Sequence, residues 1–92
     1  MHLYTIVLDY AGGTYVAQVH AGSQNAAFSN WLREHRSQEA AGSSPPIADA
    51  FNDDTAELVA LEGLTSVWCA SAATDNGLAL VNVIRTDAAS VV

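Results

Sequence analysis

Ninety-two residues, half of them hydrophobic and only 14% charged, suit one domain with a real core and exclude disorder through lack of apolar surface. Ten acidic residues against Arg33, Arg36 and Arg85 leave a net charge of -7, which argues against nucleic acid or an anionic lipid surface as partner and favours encounter with a basic one. With one cysteine there is no intramolecular disulfide. No apolar run approaches the roughly 20 residues of a membrane-spanning helix and no basic region precedes the first strand pattern, so a soluble, cytoplasmic, unprocessed chain is expected.

His2 to Tyr10 alternates and is rich in aromatic and β-branched residues, and Thr14 to His20 resumes that pattern after Gly12-Gly13. A turn at the two glycines pairs Tyr10 with Tyr15, Leu8 with Ala17 and Ile6 with Val19. One face is then apolar or aromatic throughout and the other mixed, as in a half-buried hairpin. Ser23 is the expected N-cap of a helix running from Gln24 to about Ala40. Within it Ala27, Phe28, Trp31, Leu32 and His35 recur at helical spacing and form the stripe that faces the sheet.

A Gly-Ser-Ser-Pro-Pro loop over Gly42 to Pro46 leads into a second, shorter helix that Ile47 and Phe51 fasten to the core and that stops at the acidic Asn52-Asp53-Asp54. Glu57 to Leu61 reads as a short edge strand or an extended connector. Asn76-Gly77 then joins two apolar runs, a strong hairpin signal because Asn and Gly tolerate the positive φ of a type I′ turn. That turn places Ala73 opposite Leu80, Ser71 opposite Asn82, Cys69 opposite Ile84 and Trp68 opposite Arg85, the last a candidate cation-π contact.

Strand, strand, helix, short helix, possible strand, strand, strand implies an α+β two-layer sandwich. Its antiparallel sheet has four or five strands, with one long and one short helix on one face. Both faces of the second hairpin are apolar: Val67, Cys69, Ala73, Leu80 and Ile84 on one, Trp68, Ala70, Ala72, Val81 and Val83 on the other. Helices can cover only one of them, so a homodimer through the uncovered face is expected. Trp68, Val81 and Val83 are the candidate dimer face, and Val81→Glu or Val83→Glu is then expected to separate the copies if theirs is the uncovered side.

Chemistry-bearing motifs are sparse. Cys69 with His20 or His35 is the one thiol-imidazole combination, yet Cys69 sits inside a strand, where a free cysteine packs as a small hydrophobe. The three histidines have no ligand spacing, and Asp53-Asp54 with Glu57 lacks the oxygen-rich loop of a calcium site, so neither metal nor cofactor is expected. Gly12-Gly13 lacks the lysine and the strand-to-helix context of a phosphate loop. Between Ser37 and Ile84 there is no Lys or Arg, and Asp49, Asp53, Asp54, Glu57 and Glu62 in that interval are the candidate partner-binding residues.

The segments Gly12 to Val19 (GGTYVAQV), Val67 to Cys69 (VWC) and Ala79 to Ile84 (ALVNVI) resemble those of small uncharacterised bacterial proteins of similar length. In size and acidity the chain is similar to immunity proteins that neutralise basic bacterial toxins, a likeness of composition that implies a protein-binding inhibitor. The expected function is a non-enzymatic protein-binding module. The alternatives are a small-molecule binder with a pocket between helix and sheet, or a small enzyme using Cys69 with a histidine.

Overall fold

The computed structural model describes residues 1–51, 58–74 and 76–86. Strands β1 (His2–Tyr10), β2 (Gly13–Ala21), β3 (Val59–Ala60), β4 (Val67–Thr74) and β5 (Gly77–Arg85) form one antiparallel sheet in the order β2-β1-β5-β4-β3. Helix α1 (Gln24–Ala40) lies across β2, β1 and β5 on one face, so the expected α+β class holds. The stretch read as strand or connector is the two-residue edge strand β3.

Helix α1 forms where its sequence signals place it. The Ser23 hydroxyl accepts from the Ala26 amide at 3.2 Å, and the helix closes in a Schellman turn. In that turn Gly42, at φ +78°, donates to the Glu39 carbonyl and Ser43 to that of Gln38. Ala27, Phe28, Trp31, Leu32 and His35 are its buried residues, the stripe expected from spacing. Phe28 stacks on Trp31 and meets the ring of Phe51 edge-on, tying the helix to the segment that follows it.

That segment is a single 3₁₀ turn, Ala48–Ala50, shorter than the helix expected there. Phe51 leaves helical geometry at φ -105° and ψ 61°, and it and Ile47 are fully buried, so core anchoring at both ends sets the length. The expected acidic stop over Asn52 to Asp54 lies outside the described residues.

Both hairpins turn one residue earlier than their dipeptides suggest. In the first, Ala11 and Gly12 take φ +51° and +81°, the left-handed pair of a type I′ turn, and Tyr10 pairs with Gly13. Leu8 then faces Tyr15, and Gly13 is used inside the strand. A Cβ there would lie 3.0 Å from the Tyr15 hydroxyl oxygen, so the bare glycine makes room for the ring beside it.

In the second hairpin Thr74 pairs with Gly77, which opens β5 at φ +122°. The Thr74 hydroxyl closes the turn, accepting from the Asn76 amide and donating to the Gly77 carbonyl at 2.7 Å. Trp68 consequently faces Val83, and Arg85 stands opposite Tyr4. Moving each turn by one residue shifts every partner by two, so the faces assigned from alternation survive the change of register.

The covered face carries Tyr4, Ile6, Leu8, Tyr10, Ala70, Ala79, Val81 and Val83, all buried against α1 and the 3₁₀ turn. Val81 and Val83 have no exposed surface and Trp68 packs on the same core, its ring 6.3 Å from that of Tyr4. This corrects the candidate dimer face: Trp68, Val81 and Val83 point into the monomer's own core, so glutamate at either valine would unfold the domain instead of separating two copies.

Candidate functional site

The uncovered face follows from the same alternation. In register across the sheet it presents Thr14, Val16, Gln18 and His20 from β2, Leu3, Thr5, Val7 and Asp9 from β1, Leu78, Leu80, Asn82 and Ile84 from β5, and Val67, Cys69, Ser71 and Ala73 from β4. Among the described residues no element packs on it.

Its two halves differ in chemistry. On β2 and β1 the side chains are knitted by hydrogen bonds: Thr14 donates to Asp9 at 2.8 Å, Gln18 to Thr5 at 3.0 Å, and Thr5 shares a 2.9 Å bond with Thr86. On β5 and β4 Val67, Cys69, Leu80 and Ile84 are half-buried and Leu78 is 61% exposed at the end of the row, with Asn82 and Ser71 between them in the register. Water-facing polar pairs thus sit beside an apolar-rich strip that Asn82 and Ser71 interrupt, a mixture of apolar and hydrogen-bonding groups found at protein interfaces.

The candidate partner-binding acids are distributed unevenly. Asp49 is exposed on the 3₁₀ turn and Glu62 is exposed in the turn after β3, while Asp53, Asp54 and Glu57 lie outside the described residues.

A further acidic residue has a structural role that sequence reading missed. Glu39 turns its carboxylate onto the amides of Ile47 at 3.2 Å and Ala48 at 2.8 Å, capping the 3₁₀ turn. His35, buried one helical turn earlier, directs Nε2 at the Pro45 carbonyl (2.9 Å) and at the same carboxylate (3.3 Å). Both neighbours are acceptors, so Nε2 carries the proton. Arg36 adds a bond to the Ala48 carbonyl at 3.2 Å. The i, i+4 spacing of His35 and Glu39 was the available signal, but what the pair grips is ten residues away in sequence.

Cys69 belongs to the uncovered face, where partial burial pushes its thiol pKa up. His35 lies on the opposite side of the sheet under α1, and His20 is on β2, three strands away from β4. Neighbouring strands are about 4.8 Å apart, so His20 stands beyond roughly 14 Å from the thiol. His2 sits with Tyr4 on the covered side, its ring 6.4 Å from the tyrosine. The structure therefore brings none of the three histidines to Cys69. Among the described residues no group of three or more His, Cys, Asp or Glu side chains is placed to hold a metal ion, and no helix is long and apolar enough to cross a membrane.

A groove of about 550 Å3 runs between β2 and α1, walled by Ala17 to His20 on one side and by Asn30, Arg33 and Glu34 on the other, with Trp31 and His35 at its base. It continues toward Tyr15 and Ser44. Its length follows the outer edge of β2, the strand at the end of the sheet.

No family model matches the chain, and neither the curated proteins nor the solved structures include a significant match to it.

Proposed function

We propose that this chain is a non-enzymatic, homodimeric protein-binding module of the bacterial cytoplasm, and that the apolar half of its uncovered sheet face receives a basic protein partner. The observation that carries this reading is the strip of Val67, Cys69, Leu78, Leu80 and Ile84, interrupted by Asn82 and Ser71, on which no element packs among the described residues. The occupant is assigned by charge. A net charge of -7 with three arginines repels acidic surfaces and speeds encounter with a basic one, while the apolar patch supplies the burial that holds it. Inhibition of a basic toxin, as by an immunity protein, is the most specific form of this function and is supported by size and acidity.

Affinity capture from the producing cells tests it, using wild type beside Leu80→Arg. A basic protein retained at near-equal stoichiometry by wild type and lost with Leu80→Arg is the expected result. Identical protein sets on both columns would remove the uncovered face as the binding surface.

A further inference from the structure

A homodimer needs a surface on which the second copy of the chain sits. We infer that the second copy joins at the outer edge of β2, extending the five-stranded sheet into a continuous sheet of twice the width. This rests on the reading of the chain as a self-associating module, but it uses a different surface from the one assigned to the basic partner.

The ladder shows which backbone groups are available. Tyr10 and Gly13 close a two-residue turn, so they exchange both backbone bonds, as do Leu8 with Tyr15, Ile6 with Ala17 and Tyr4 with Val19 in alternation. The N–H and C=O of Thr14, Val16, Gln18 and His20 therefore point outward from the sheet, and among the described residues no strand lies beyond them. Edges of this length are ordinarily blunted by lysine, proline, a bulge or an inward-pointing charge. β2 has none of these, and its register with β1 runs unbroken over nine residues. At the opposite edge of the sheet the two-residue strand β3 pairs with Trp68 and Cys69 of β4.

Self-complementarity and charge select a second copy as occupant. An antiparallel pairing centred on Ala17 sets Val16 against Gln18 of the second copy and Thr14 against its His20. Every outward amide and carbonyl of this row is then satisfied by a two-fold axis normal to the sheet. On the covered side Tyr15, 45% exposed, comes to lie beside Val19 of the second copy.

The joint also avoids the chain's repulsion. Between Asp9 and Arg33 there is no Asp, Glu, Lys or Arg, so β2 itself carries none of these charges, and Arg33 and Glu34 of α1, which wall the groove beside it, are of opposite sign. Two such molecules can therefore approach along β2 without bringing a net like charge of the strand together. The dimer presents both uncovered faces on one side, a platform for two partners.

Sedimentation of wild type, Gln18→Pro and Leu80→Arg at tens of micromolar tests the placement. The Gln18 N–H points outward, so proline there spares the backbone ladder with β1; it removes the side-chain bond to Thr5 on the monomer's surface and, between copies, a backbone bond. Wild type is expected to be a dimer that Leu80→Arg preserves, and Gln18→Pro a monomer with native circular dichroism whose association is weakened at least about tenfold. Monomeric wild type, dimeric Gln18→Pro, or a dimer dissolved by Leu80→Arg would each overturn the inference. Should Gln18→Pro fail to fold, hydrogen exchange of wild type decides: slow amides at Val16 and Gln18 support the joint, and solvent-like exchange there refutes it. Loss of partner capture with the dimer intact would mark failure of the functional reading alone.

Discussion

Ala11 holds φ at +51° in the first hairpin turn, a left-handed conformation that costs a residue with a Cβ roughly 1–2 kcal/mol. Ala11→Gly removes that strain and gives back part of it through the freer unfolded chain. A net gain of about 0.5–1 kcal/mol in urea unfolding is expected, and a loss would contradict the turn geometry. Glu39 makes the opposite case, since its carboxylate accepts from the amide of Ala48 and shares that of Ile47 with the Pro45 carbonyl. Glu39→Ala should cost about 2 kcal/mol by the same measurement, the range for removing charge-assisted bonds from part-buried donors. Cys69 offers a chemical check. With its pKa raised by burial, little thiolate forms near neutral pH, so alkylation by iodoacetamide should be slow there and accelerate as pH rises. Rapid reaction at neutral pH would instead revive a nucleophilic role.

At the scale of elements, Trp31 anchors α1: it is buried, stacks on Phe28 and contacts His35 at 5.0 Å. Trp31→Ala should destabilise the domain by roughly 3–5 kcal/mol, and near-native stability in urea would place the helix elsewhere. This element was readable from sequence because cap, stripe and closing glycine are local signals that agree with one another. The hairpins were readable in existence and in facing, since alternation is also local. Their registers were not. An Asn-Gly or Gly-Gly dipeptide marks where positive φ is tolerated, but a Tyr15 ring needing space beside Gly13 and a Thr74 hydroxyl bridging Asn76 to Gly77 decided which residues make the turn. The grip of His35 and Glu39 on the 3₁₀ turn was hidden for a related reason, being a contact between segments that periodicity does not connect.

Among the described residues the whole molecule is a sheet with one face buried by its own helix and one face on which no element packs. Sequence alternation separated the two sets of side chains, but on β4 and β5 both sets are largely apolar, so composition there gave no reason to prefer either as the inner one. The choice follows from chain connection: α1 packs on the side where Tyr4, Ile6, Leu8 and Tyr10 already form a continuous apolar row, and the paired Val81 and Val83 go with them. The acidic surface, the open patch and the uncharged β2 edge all take their meaning from this division. Adjacent residues on β5 test it most directly, because Leu80 and Val81 differ in little but the face they occupy. Urea unfolding of Leu80→Arg and Val81→Arg should show the first within about 1 kcal/mol of wild type and the second destabilised by about 4 kcal/mol or more, since only the second buries a charge in the core. Equal losses, or a greater loss at Leu80, would contradict the assignment of the open face.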